Sequence, residues 1–302
     1  MKNSDIRRER PPKKSSFVKR IFVFLVVIVM IAGAGAAAGF FVSVSKHLPD
    51  VTANIQPNAS SRIYDDKGRL ITTVHAEENR IPVPITEVPQ NLQNAFVAAE
   101  DVRFYEHHGV DPRGILRAVW ANVVTRNATG QGGSTITQQL ARNAFLTQEQ
   151  TLKRKLLEVV LALQIENKYT KKQILEMYMN QIYFGQGCYG IQTASRVYFG
   201  KDVKDLTLPQ CAMLAGLPNS PNYYSPFRSL EAAKYRQGIV LDQMAKYGYI
   251  SEADAQAAKK ADLHLAKPQA SKGTESTASY FVSYVIQTIS DKYDSDAIYK
   301  EG

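Results

Sequence analysis

Apolar positions recur at helical spacing through most of the chain from Asn91 onward. Leu92, Ala95, Phe96 and Ala99 set the phase of the first run. The same three-and-four spacing predicts helices over about 91–106, 111–126, 134–146, 151–168, 171–183, 187–199, 207–217, 229–247 and 251–260. Before them, Arg62 to Val74 holds two short β-prone runs around a Gly-containing turn, which predicts a hairpin. Pro82, Pro84 and Pro89 punctuate the stretch between, so it reads as extended or loop. The predicted class is mostly α with one small N-terminal β-hairpin.

Two regions break this pattern. Phe17 to Val44 is apolar apart from Lys19, Arg20 and Ser43, and its uncharged core from Ile21 to Val42 is long enough to span a bilayer. Eight basic residues against Asp5 and Glu9 give positions 1–20 a net charge of +6, which predicts a cytoplasmic N-terminus and an extracytoplasmic remainder. The alternative is a cleaved signal peptide ending in the Ala-Gly-Ala-Gly run, but the apolar segment is longer than a usual signal core. Gly35-x-x-x-Gly39 permits close helix packing. At the other end, Ala266 to Ser279 is rich in Lys, Ser, Thr and Gly, and an apolar run from Tyr280 to Ile289 follows. The expected organisation is a basic tail (1–20), a transmembrane helix (21–45), a linker (46–60), a globular domain (61–265) and a second linker leading into a connector (266–302).

Composition refines the picture in two places. A net charge of +9 over 302 residues calls for an anionic partner. Most of the excess sits beside the apolar segment, so that partner is expected to be a lipid bilayer and not nucleic acid. Cys188 and Cys211 match no metal pattern; they form one bridge or remain as two buried thiols.

Four stretches are candidates for chemistry. In Glu100-Asp-Val-Arg-Phe-Tyr-Glu-His-His-Gly109, continuing the helix places Glu100, Phe104 and His107 on one face, where an aromatic neighbour would raise a carboxyl pKa and make a base. A solvated helix end is the plainer reading. In Gly132-Gly-Ser-Thr-Ile-Thr-Gln-Gln-Leu-Ala-Arg142, Ser134 is a candidate N-cap whose helix start would hold an anion, with Thr135, Gln138 and Arg142 lining one face. An ordinary capped helix explains Ser134 but not the row of donors. Arg154, Lys155 and Glu158 share a face and either form surface ion pairs or neutralise a pyrophosphate. Asn180 opens a segment with three glycines and three aromatics, for which tight turn packing is the plainer account.

Taken together, these motifs resemble the peptidoglycan glycosyltransferases. The resemblance rests on Glu-Asp-x-x-Phe-x-x-His-x-Gly from Glu100, Gly-Gly-Ser-Thr-Ile-Thr-Gln-Gln from Gly132, Arg-Lys-x-x-Glu from Arg154, Asn-x-Ile-Tyr-Phe-Gly from Asn180 and Leu214 to Pro221, in that order. It covers roughly residues 60–250. It implies a lysozyme-like helical domain with head and jaw lobes. The implied reaction is polymerisation of lipid II into a growing glycan strand with inversion and loss of undecaprenyl pyrophosphate.

By position the resemblance makes Glu100 the general base. Glu158 would orient the donor phosphates or a divalent cation, Mg2+ or Mn2+. Arg142, Arg154 and Lys155 would stabilise the leaving charge, and Asp101, Phe104, His107, Gly109, Ser134, Thr135, Gln138 and Asn180 would hold substrate or shape the pocket. Other cell-wall synthesis proteins and moenomycin-type inhibitors are further partners it implies. Position 142 carries Arg where many relatives carry Lys, which keeps charge but changes geometry. No Lys-Thr-Gly occurs, so no transpeptidase domain is expected within this sequence, and Tyr280 onward resembles the connector that precedes one in bifunctional relatives. Two other readings stay open: a lysozyme-like glycan-cleaving enzyme, which has no need of the basic cluster, and an inactive membrane-anchored interaction fragment.

Overall fold

The computed structural model describes residues 61–74, 80–117, 133–146 and 151–267, with positions 24, 25, 27, 28, 35, 39 and 288. The expected anchor and the Gly-rich segment before Gly133 lie almost wholly outside these residues. Described positions within the anchor are helical, but among the described residues no helix is long and apolar enough to cross a membrane. Chain contacts separate Met1–Pro49 from Asp50–Gly302.

The predicted hairpin forms. Strands β1 (Ser61–Tyr64) and β2 (Leu70–Val74) run antiparallel, with Ser61 opposite Val74 and an irregularity between Ile63 and Tyr64. Asp65 closes the turn by accepting from the Lys67 and Arg69 amides at 3.0 and 2.7 Å, an arrangement typical of Asp in turns.

Among the described residues the helices are α1 (Gln90–Glu100), a start at 112–117, α2 (Ile136–Phe145), α3 (Leu152–Lys168), α4 (Lys171–Gln181), α5 (Ile191–Phe199), α6 (Leu208–Gly216), α7 (Leu230–Lys246) and α8 (Glu252–Lys260). Ser or Thr starts most of them: the side chains of Thr135, Thr151, Thr170, Ser229 and Ser251 each accept a first-turn amide.

Two predicted boundaries are corrected. The first helix stops at Glu100 instead of running to 106, because Asp101 leaves helical geometry at φ −156° and ψ 76°. The helix expected from 187 begins at Ile191. Gly185, Gly187 and Gly190 all have positive φ, so the chain turns there, and Tyr183 pairs with Tyr189 across the turn.

Packing places α1 at the centre. Ala95 to Ala99 are all buried, so the second half of this helix is enclosed, with α6 and α7 packed against it. Phe96 meets Tyr178 and Phe184 edge-on, with ring centroids 5.9 and 6.1 Å apart. Helix α8 packs on α7, while α2 packs on α3 and α4. A carboxylate at the end of α1 is therefore carried into the interior, beside α2.

Candidate active site

Glu100 ends α1 with its carboxylate enclosed. Its Oε2 accepts from Gln139 Nε2 at 2.9 Å, and its Oε1 is buried with no hydrogen-bond partner among the described residues. Burial raises its carboxyl pKa; the Gln139 amide and the charges of Arg236 and Arg142 pull the other way, and Asp101 adds to the rise. The cause differs from the predicted one. Since the helix has ended, Phe104 and His107 are not on a shared helical face with Glu100.

Asp101 anchors the segment instead. Its Oδ2 accepts from His107 Nε2 at 2.8 Å and from the Ile136 amide at 3.1 Å, and all three groups are buried. Phe104 is fully buried, with the Lys171 ammonium 4.5 Å above its ring. Gly109 accepts from the Thr135 hydroxyl at 2.7 Å. A Cβ at Gly109 would lie 2.9 Å from the Ala162 carbonyl, so only glycine fits this turn at φ +84°.

At the start of α2 the expected anion site is corrected. Thr135, not Ser134, is the N-cap, and it forms a reciprocal box with Gln138: Gln138 N donates to Thr135 Oγ1 at 3.1 Å and Thr135 N to Gln138 Oε1 at 3.0 Å. The anion at this helix start is the chain's own Asp101. Thr135 and Gln138 are thus buried in capping rather than presented to a substrate. One position further on, Gln139 and Arg142 do face open space. They line a cleft of about 420 Å³ with Arg80, Asn143, Tyr183 and Tyr189.

Arg154, Lys155 and Glu158 do meet on one face of α3, as ion pairs. Glu158 is 1% exposed, and its two oxygens accept from Arg154 Nη1 and from Lys155 Nζ, the latter at 2.7 Å. Lys155 also donates to Ser134 Oγ at 2.7 Å, which ties α3 to the start of α2. With both oxygens held by cations, Glu158 does not fit a direct metal ligand in this arrangement. Among the described residues no group of three or more His, Cys, Asp or Glu side chains is placed to hold a metal.

Asn180 is engaged by the main chain. Its amide bonds both ways with the main chain of Val83, at 3.1 and 2.8 Å, and so pins the segment before α1. Cys188 and Cys211 are both free and buried.

These residues fall inside a match to a family model described as Transglycosylase, which spans residues 67–245. The chain belongs to the transglycosylase family. It is 45% identical over 238 residues to penicillin-binding protein 1A of Escherichia coli (strain K12), covering 78% of this chain and 28% of that protein. To penicillin-binding protein 1F of Bacillus subtilis (strain 168) it is 40% identical over 280 residues, covering 91% and 38%. The chain thus spans well under half the length of these relatives. The crystal structure of penicillin-binding protein 1A from Haemophilus influenzae matches 82% of the chain and 26% of that structure, at 26% identity and a TM-score of 0.47.

Within the matched span, three further residues act on Glu100 directly or through a neighbour. Gln139 is the immediate neighbour of Gln138 and bonds Glu100 itself. Tyr178 donates to Gln139 Oε1 at 3.1 Å. Arg236 on α7 carries the largest charge effect on Glu100 yet lies far along the chain. A Thr-x-x-Gln spacing from Thr135 was a signal that assigns Gln138 to the cap and leaves Gln139 free; nothing local marks Tyr178 or Arg236.

Proposed function

We propose that this chain is a membrane-anchored peptidoglycan glycosyltransferase that polymerises lipid II, with Glu100 as general base. The observation that carries the reading is the enclosed Glu100 carboxylate, oriented through one oxygen by Gln139 and unpartnered at the other. A carboxyl raised by burial has basicity nearer the working pH than an exposed one, which favours proton abstraction. A small cavity of about 20 Å³ lined by Glu100, Asp101, Ser134 and Thr135 has room for one hydroxyl.

In this mechanism the acceptor's 4-hydroxyl gives its proton to Glu100 and attacks C1 of the donor. The bond to the diphosphate breaks, the configuration at C1 inverts, and undecaprenyl diphosphate leaves. Arg142, Arg154 and Lys155 stabilise the departing charge. Glu158 holds Arg154 and Lys155 in place, and these three side chains together carry one net positive charge. A divalent ion, if used, enters with the diphosphate rather than on Glu158. The basic cluster favours a diphosphate leaving group over the sugar hydroxyl of a glycan-cleaving enzyme. The anchor at 21–45 would keep the site close to lipid-linked substrate.

Labelled lipid II supplied to the full chain in detergent tests the reading. The unmodified chain yields polymer, and Glu100→Gln, nearly isosteric, yields none while remaining folded. A near-normal rate in that variant removes the base assignment. Shortening of preformed glycan in place of polymer replaces the reaction class.

A further inference from the structure

Helix α4 places a phenol behind the amide that holds Glu100. The Tyr178 hydroxyl donates to Gln139 Oε1 at 3.1 Å, and the same amide's Nε2 donates to Glu100 Oε2 at 2.9 Å. We propose that Tyr178 is a positioning residue for the base, acting through Gln139. The proposal rests on the reading of Glu100 as the base, and it extends the site to a residue that touches neither substrate nor reacting atoms.

The argument is one of donor and acceptor order. A side-chain amide can point either its oxygen or its nitrogen at a neighbour, and only the nitrogen is attractive to a carboxylate. A hydroxyl that donates to the amide oxygen fixes that choice. Tyr178 is fully buried, and its ring is clamped edge-on by Phe96 of α1, so the hydroxyl has little freedom to leave. Burial, with the charge of Glu100 next, pushes this phenol well above its ordinary value, so it stays a donor across the working pH range.

Gln139 has an alternative that makes the clamp necessary. It lines the open cleft beside Arg142, where its amide oxygen would find a cation. Without Tyr178, the Gln139 oxygen loses its donor, and swinging into the cleft relieves that loss. Glu100 would then lose its one hydrogen bond among the described residues. The remaining groups that act on its charge are Arg142 on α2, Arg236 on α7 and Asp101 at the end of α1. Helix α6 offers only Cys211, whose thiol burial pushes up to about 12.

The test is Tyr178→Phe, which removes the hydroxyl and keeps the ring against Phe96. For lipid II polymerisation, kcat is expected to fall about tenfold, the size of effect expected for a lost buried hydrogen bond. KM stays near its original value, and the acid limb of the kcat profile moves to higher pH. Gln139→Leu reproduces both changes, and adding Tyr178→Phe to it produces no further change.

A second measurement does not depend on turnover. Infrared difference spectroscopy of the full chain, with the band assigned by its loss in Glu100→Gln, follows the carboxyl titration directly. An upward shift in Tyr178→Phe is expected. An unshifted titration in the folded variant overturns the proposal, as does an additive effect in the double variant. A shifted titration with an unshifted rate profile removes the base reading instead, and leaves the link from Tyr178 to Glu100 standing. Should the variant at 178 not fold, an unshifted titration in Gln139→Leu breaks the link between the two and overturns the proposal by itself.

Discussion

Glu100 sits in a place that disfavours charge. Burial is the largest influence on it and raises its carboxyl pKa. A group raised on folding contributes stability below its unfolded value and loses it as pH rises through the folded one. An ionised Glu100 therefore costs the folded chain stability relative to a neutral one. Glu100→Gln is expected to raise the Tm at pH 7.5, and the gain should vanish once the pH falls below the ordinary glutamate range. Calorimetry at the two pH values checks this, and a lower Tm at pH 7.5 would contradict it. At this scale Glu100 was legible as a candidate but its environment was not. The predicted aromatic neighbour gave way to general burial, since Phe104 follows the end of the helix instead of continuing it. Gln139 was hidden by its twin Gln138, because which of two adjacent glutamines caps a helix depends on where the first turn begins.

Among the elements, α2 carries the most consequences. Its start is held by three contacts from other parts of the chain: Asp101 to the Ile136 amide, Gly109 to Thr135, and Ser134 to Lys155. These link the end of α1, the following turn and α3 to a single helix end. Thr135 thus acts as a cap with two buried bonds that hold the backbone. Thr135→Ala should lower stability by about 1–2 kcal/mol, whereas Thr135→Ser, which keeps the oxygen, should lose only a few tenths of that. Urea unfolding of both variants separates the roles: equal stability for Ala and Ser would show that the cap is not what Thr135 supplies. Most helices were readable from spacing because an apolar face and a polar start are both local properties. The end of α1 was not, because Asp101 is drawn out of the helix by partners 6 and 35 residues away.

Across the molecule, the central α1 and its enclosure by α6 and α7 turn a helix-end carboxylate into a buried one. The N-terminal contact unit, Met1–Pro49, is separate from the unit that holds this core. Deleting it is expected to leave the Tm of the remainder unchanged while abolishing partition onto anionic lipid vesicles, as measured by flotation. Retained partition would place the membrane contact elsewhere. By itself the sequence determined the mostly helical class, the hairpin, the order of the elements and the residue types of the site, since periodicity, caps and short motifs are written in neighbouring positions. Tertiary structure alone decided which of those residues meet. Gln139 lies 39 residues from both Glu100 and Tyr178, and Arg236 acts on Glu100 from α7. Such meetings follow from the way helices pack around α1, and no local pattern records them.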